Sequence, residues 1–465
     1  MKDNTQVFES YSVPRAVRTL ALPSMMGMLV NVIYNLADTF FVGQTGNADM
    51  VAAVSVTMPL FLLFIACGNL FGVGGCAFIS RSLGEGKKER VKSISSFCVY
   101  SSVGIGLVMT VLFLVFRKPV LYAVGASDAT FTYASDYLKY VAVGSPFIIS
   151  AVMLGNLVRG EGAARVSMIG SVIGQVVNIV LDPIFILHKG DKLFGVVMPF
   201  GTGQGVAGAA IATVIGNVVS VAFFLIYFLQ GKSLLSIHPA RFRVRGGIAR
   251  GVITVGLPAA INNLLMSVSN MLINVFLQGY GDHAVAAMGI AMKANMLVVM
   301  LQLGLAQGVQ PLVGYCFGAN KVERLRHSIR FSCMCNIIMG TVITVAYFIF
   351  TRQVVQIFID DPAVIDYGVK MLRALMTAGP VIGCMFVLNF SFQGMGKGVQ
   401  SLILSLSRQG LIYFPLLIIM NKTVGLEGII WSQAVADLVC TVMSVVMFVL
   451  VVHKLRRQQN PQAKA

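Results

Sequence analysis

Long uncharged apolar runs, interrupted at short intervals by small clusters of charge, set the pattern along this chain. Val51–Ser80, Gly104–Phe116, Val206–Gln230 and Met296–Gly314 carry no charged residue at all. About 20 apolar residues in a helix cross the hydrocarbon of a bilayer. Read against the charge clusters, the runs predict twelve spans, near 16–42, 51–80, 92–116, 135–158, 167–187, 205–230, 248–278, 284–316, 327–350, 368–392, 400–420 and 425–452. Pro23, Pro59, Pro146, Pro183, Pro258, Pro311, Pro380 and Pro415 fall inside these runs. Neighbouring helices can satisfy the backbone groups that such prolines free, so the spans stand.

Composition agrees with the pattern. The 465 residues are 57% hydrophobic and 11% charged, against about 25% charged in soluble domains. The net charge of +17 invites a nucleic-acid reading, but the basic residues are spread among the connections and form no continuous face. Their distribution sets orientation instead. With the N-terminus inside, 25 of the 35 Lys and Arg residues fall on the cytoplasmic connections and tails, as the positive-inside rule expects. Both termini are then cytoplasmic, in a bacterial inner membrane. The eight cysteines lie in apolar runs, and Cys333-x-Cys335 lacks metal or redox spacing. Residues 1–14 are polar, without the apolar run and cleavage site of a signal peptide.

Shifting the chain by 234 residues exposes an internal repeat. Val51-Ala52-Ala53 falls on Val285-Ala286-Ala287, Gly74 on Gly308, and Gly84-x-x-Lys87-x-Glu89-Arg90 on Gly318-x-x-Lys321-x-Glu323-Arg324. Pro146 then meets Pro380, and Gly160-x-Gly162 meets Gly394-x-Gly396. Six spans per half make the halves parallel repeats about an axis along the membrane normal, an architecture of transporters. The expected domains are an N-lobe over 1–231, a linker over 232–247, a C-lobe over 248–453 and a tail over 454–465.

Chemistry at membrane depth is sparse, and ionisable residues there are functional candidates by default. They are Asp38, Asp182, Lys293 and Asp437. Asn31, Asn35 and Asp38 stand at i, i+4 and i+7, with Tyr34 beside them; Gln175, Asn178 and Asp182 stand at i, i+3 and i+7. Each set forms one polar helix stripe ending in a carboxylate. Carboxylates with amide oxygens between them suit Na⁺ by ligand type, and a close carboxylate pair can equally hold a proton. Asn263, Ser267, Asn270 and Asn274 form a stripe in the second half without a carboxylate, and Lys293 with Asp437 can form a structural ion pair. No Walker A, H-E-x-x-H or G-x-S-x-G motif occurs, so the chain is expected to be no enzyme and to hydrolyse no ATP.

Leu22-Pro23 leading into Tyr34-Asn35-Leu36-Ala37-Asp38-Thr39-Phe40-Phe41-Val42-Gly43, and Asn178-Ile-Val-Leu-Asp182-Pro183, resemble the multidrug and toxic compound extrusion (MATE) family, in its bacterial DinF/MepA-like branch. The resemblance implies an all-α membrane protein of twelve transmembrane helices in two six-helix lobes related by a pseudo-two-fold repeat. It implies export of cationic or amphipathic drugs by Na⁺ or H⁺ antiport, without a cofactor, by a monomer. It makes Asp38, Asn178 and Asp182 the cation or proton site (Asp38 and Asp182 holding Na⁺ if sodium is used), with Thr213 of Gly208-Ala-Ala-Ile-Ala-Thr213 as the span-6 member. It places Asn31, Tyr34, Asn35, Asn156 and Gln175 on the drug cavity. The neighbourhood Asn262-Asn263 and Met266 lacks the acidic span-7 residue of some relatives. A lipid-linked saccharide flippase, of the same broader superfamily, is the alternative; several arginines lining a groove would favour it.

Overall fold

A backbone in hydrocarbon has no water to bond, so each apolar run must close its hydrogen bonds within itself. In a computed structural model of the chain, described over residues 5–190, 192–193, 196–197 and 200–459, the runs do so as helices. We label them α1 (Val13–Gly43), α2 (Ala48–Gly84), α3 (Lys88–Val115), α4 (Asp128–Gly160), α5 (Ala164–Ile186), α6 (Gly205–Leu229), α7 (Ile248–Gln278), α8 (Asp282–Gly318), α9 (Val322–Gln356), α10 (Pro362–Thr377), α11 (Gly379–Gly394), α12 (Gly398–Val424) and α13 (Leu426–Gln459). Eleven described helices are long and apolar enough to cross a membrane, and α10 with α11, bent by 47°, makes the twelfth span. Several helices run past the expected ends; α3 takes in Lys88, Glu89 and Arg90, because helix continues readily into water where charge is welcome. Between α5 and α6 a small antiparallel ribbon pairs β1 (Lys192–Leu193) with β2 (Val196–Val197). The expected tail over 454–465 reaches beyond the described residues at 460–465.

Local chemistry sets the helix ends. Ser127 and Thr130 close a capping box at the start of α4, with Thr130 N–H donating to Ser127 Oγ and Ser127 N–H to Thr130 Oγ1. Asp361 Oδ1 accepts from Ala363 N–H at 2.8 Å, and Pro362 opens α10. The bend between α10 and α11 precedes Pro380, and the Gln302 amide donates to the Gly379 carbonyl at 2.7 Å, supplying a donor at the break.

The helices group into two compact units that do not follow the chain in order. One holds Val30–Ile79 and Lys88–Gly256; the other holds the segment ending at Leu29, then Ser80–Lys87, then the chain from Leu257 on. Each unit thus includes the opening turns of the other half's first helix. Within the first unit a Cβ on Gly74 would fall 2.1 Å from the Val252 carbonyl oxygen of α7. Within the second, a Cβ on Gly308 would fall 2.7 Å from the Leu20 carbonyl oxygen of α1. Gly74 and Gly308 are the glycines that the 234-residue shift superposes. The same register recurs in Gly160, whose Cβ would lie 3.0 Å from Cys76 O, and Gly394, whose Cβ would lie 2.8 Å from Gln310 O. Small residues that bring backbones into contact are a chief source of helix association where lipid removes the hydrophobic drive.

Candidate functional site

The first unit carries the carboxylate site, and two glycines build it. A Cβ on Gly174 of α5 would stand 2.6 Å from Gly216 O of α6, and one on Gly216 would stand 2.5 Å from Gly174 O. The two backbones therefore touch. One turn along α5 from that contact lies Asn178, and one turn back along α6 lies Thr213. Asn178 Nδ2 donates to Thr213 Oγ1 at 3.1 Å, and both residues are buried.

One more turn along α5 brings Asp182, which has no solvent-exposed surface. Both of its carboxylate oxygens, with Asn178 Oδ1 and Gln175 Oε1, are buried without a hydrogen-bond partner. The helix ends at Ile186, one turn past Pro183. From α1, Asp38 lies within electrostatic range of Asp182. It is half-buried and forms no hydrogen bond or ion pair among the described residues. Tyr34 stands one turn earlier on α1.

Phe41, Val42, Ile186, Leu187 and Ala209 form an apolar cluster over the end of α1, the end of α5 and the start of α6. Ala37 and Ile179, neighbours of Asp38 and Asn178 along their helices, pack against it. An uncompensated ionised carboxylate in such surroundings costs several kcal/mol (roughly 2–7 for a polar group, more for a charge). Buried oxygens left without a donor would be satisfied by something that brings positive charge, a proton or a cation. The donor set, all hard oxygen, fits either.

The remaining predicted residues divide. Asn35 Nδ2 donates back along its own helix to Asn31 O at 2.7 Å and lies 3.2 Å from Asn31 Oδ1, so this pair shares one stripe with Asp38. Asn156 stands apart. Tyr137, also on α4, is within range of both carboxylates; Gly144 of the same helix packs on Val214, beside Thr213, and at 1.5 Å per residue Asn156 lies about 18 Å further along. There Asn156 accepts from Arg159 Nη1 at 3.1 Å and donates to Val152 O.

Sequence reasoning passed over Tyr137, because a tyrosine in an apolar helix carries no signal of which helix it will face. It also passed over Glu161, in the turn between α4 and α5. Glu161 is fully buried and takes three donors: the Tyr227 hydroxyl at 2.9 Å, the Ser233 hydroxyl at 2.8 Å and the Leu234 N–H at 2.8 Å. Burial pushes its carboxyl up to about 7, with those hydrogen bonds pulling the other way.

In the second unit the predicted Lys293–Asp437 pair does not form. Lys293 is exposed, and Asp437 instead accepts from Arg408 Nε at 2.8 Å and from Gln433 Nε2 at 3.0 Å. Arg408 sits on the π-helical turn Ser407–Leu411 inside α12. The extra residue per turn rotates it inward over the Phe386 ring, 5.0 Å from the centroid. On α7, Asn263 and Ser267 bond back to carbonyls of their own helix.

With this geometry in place, known proteins supply the frame. The MatE family profile matches residues 23–184 and again 258–419, one copy in each half. The multidrug export protein MepA of Staphylococcus saprophyticus is 33% identical over 457 residues, covering 98% of this chain and 97% of the relative. MepA of Staphylococcus haemolyticus is 34% identical over 453 residues, covering 97% and 96%. A crystal structure of MATE in complex with MaL6 superposes with a TM-score of 0.90 at 26% identity, covering 98% of this chain and all of that one. An outward-facing multidrug resistance MATE transporter of the MOP superfamily matches equally well, at 0.90 and 26%, covering 98% and 99%. Two copies of one family profile, full-length relatives and a matching twelve-span fold leave one conclusion: the chain belongs to the MatE family of multi-pass membrane transporters.

Proposed function

We propose that the chain is a secondary multidrug efflux transporter, expelling cationic and amphipathic small molecules from a bacterial cell in exchange for Na⁺ or H⁺. The observation that carries this reading is the donor-free oxygen set of Asp182, Asn178 and Gln175 with Asp38 in electrostatic range. The relatives' role in multidrug export supports the substrate class.

An antiporter needs cation and drug to disfavour each other's bound state, and that coupling is reciprocal. With both aspartates ionised, the site attracts a cationic drug. A proton or Na⁺ arriving there cancels the attraction and favours release. Asn31, Tyr34, Asn35 and Gln175 line the drug's approach to the carboxylates, and Asn156 contacts it elsewhere along α4. The N-lobe over 1–231 and the C-lobe over 248–453 act as the two halves of a monomer, joined by 232–247, with both termini cytoplasmic. No cofactor and no catalytic step are required.

The flippase reading calls for an arginine-lined groove at the transport site. The carboxylate site has the opposite polarity, which favours the antiporter. Purified protein in vesicles, loaded with a fluorescent cationic drug and driven by a sodium gradient or a pH gradient separately, tests the proposal. Efflux driven by either gradient supports it; efflux driven by neither rejects it.

A further inference from the structure

We infer that the second unit holds a binding site for an anionic phospholipid, its phosphate on the basic opening turns of α9 and an acyl chain in the groove beneath. A cavity of about 730 Å³ is lined by Glu323, Arg324, Arg326, His327 and Arg330, with Val13 and Ile329 among them, and by Cys333, Cys384, Leu388, Val445 and Phe448. Three arginines thus face one glutamate.

The helix period explains the arrangement. Glu323, Arg326, His327 and Arg330 stand at i, i+3, i+4 and i+7, so they share one face of α9. Cys333 continues that face about 10 Å below Arg326, where the lining turns apolar. Charged and apolar lining in one cavity match a headgroup and a chain, and match nothing that is polar throughout.

The basic groups are not used up by the protein. Arg324 spends one nitrogen on the Tyr11 carbonyl, at 2.7 Å, and its buried Nε has no partner. Arg326 meets Glu323 only at 3.5 Å. Arg330 is exposed and has no hydrogen bond or ion pair among the described residues. Guanidinium groups take phosphate oxygens in a bidentate fork.

The groove also opens onto the surface where lipid chains lie. Val445 lines it and is 42% exposed, and Val442, Val446 and Val449 continue the same exposed apolar wall of α13. Basic pockets between transmembrane helices, at the level of the headgroups, are sites for anionic lipid. The arginines lie within the first three turns of α9, beside the basic connection before it, where a span leaves the hydrocarbon. This inference needs only that the chain spans a membrane, and it stands or falls apart from drug efflux.

The test uses the full-length protein, delipidated in neutral detergent and titrated with dioleoylphosphatidylglycerol or dioleoylphosphatidylcholine, with bound lipid counted by native mass spectrometry. Wild type should retain the anionic lipid at least about tenfold better. Each basic residue at an anionic surface is worth a factor of about five, so Arg326→Gln with Arg330→Gln should lose roughly twentyfold for phosphatidylglycerol and nothing for phosphatidylcholine. Arg330→Gln alone, at an exposed unpaired position that cannot threaten folding, should lose about fivefold. Inorganic phosphate at millimolar concentration should not displace the lipid. Equal retention of the two lipids, or phosphatidylglycerol binding unchanged in both variants, overturns the inference. Displacement by inorganic phosphate alone overturns it too, since the site would then hold a free anion and owe nothing to the groove.

Discussion

Asn178 donates to Thr213 across the α5–α6 contact at 3.1 Å, and by doing so leaves its own amide oxygen buried beside Asp182 without a donor. One hydrogen bond thus decides which end of an amide faces the carboxylates. An amide turned the other way would offer a donor, satisfy the carboxylate, and remove the reason for a cation to enter.

That orientation can be tested directly. Thr213→Val removes the acceptor and leaves the Asn178 N–H₂ unpaired, at a cost of about 1–3 kcal/mol for a buried polar group. Thr213→Ser keeps the hydroxyl. The valine variant should melt lower and couple drug efflux poorly, while the serine variant stays near wild type in both. Equal transport by the two would mean that the bond does not set the site.

Replacing either carboxylate should abolish coupling. Asp38→Asn and Asp182→Asn keep shape and lose charge. Each is expected to lower gradient-driven efflux at least about tenfold, and the double variant should be little worse than either alone, because residues acting on one site are not additive. Efflux from proteoliposomes is the measurement. Wild-type efflux by Asp38→Asn would move the coupling site away from the first unit.

The backbone contact beneath the site is as exacting as the site. A Cβ on Gly216 would lie 2.5 Å from Gly174 O and 3.2 Å from Asn178 Cβ, so Gly216→Val must push α5 and α6 apart. It should lower thermal stability by about 1–3 kcal/mol, as overpacking does, and cost transport as well. A variant as stable and as active as wild type would show that the helices can separate freely.

Asp437 and Arg408 should behave as a buried pair. Asp437→Asn strands the guanidinium and should destabilise by about 3–5 kcal/mol, whereas replacing both partners with apolar residues should recover most of the loss. Lys293→Gln should be neutral within about 0.5 kcal/mol, as surface changes are. A thermal double-mutant cycle reads all three. A large coupling between Lys293 and Asp437 would contradict the observed pairing.

Glu161 gives the protein a pH-sensitive joint between the α4–α5 turn and the residues after α6. Its folded carboxyl titrates at about 7, above the ordinary value of 4.5. The folded state therefore binds this proton more tightly than the unfolded state. The stability it contributes is fully present below pH 4.5 and is lost as pH rises through 7. Hydrogen exchange at Ser233–Ser236 should accelerate between pH 5 and 8. Glu161→Gln, which can keep all three contacts with Tyr227 accepting, should flatten that dependence. An unchanged profile in the variant would assign the effect to another group.

The sequence by itself determined what one-dimensional signals can carry. Predominantly apolar runs near bilayer length marked all twelve spans, because hydrocarbon leaves a backbone no alternative to internal hydrogen bonds. The 3.6-residue period put Asn178 and Asp182 on one face of α5, and Asn31, Asn35 and Asp38 on one face of α1. The repeat was legible through Gly74 and Gly308 because their close backbone contacts exclude any side chain. Only the tertiary structure decided which faces meet. A helix period says which side chains share a stripe, not which neighbour that stripe will find, so Thr213 came from resemblance alone and Tyr137 from no signal at all. Asp437 found Arg408 and not Lys293 because a π turn in α12, invisible to an α-helical period, rotates Arg408 inward. Asn156 shares α4 with Tyr137 and lies about 18 Å along it from the Gly144 contact with Val214, since along a rigid rod each residue adds about 1.5 Å of distance.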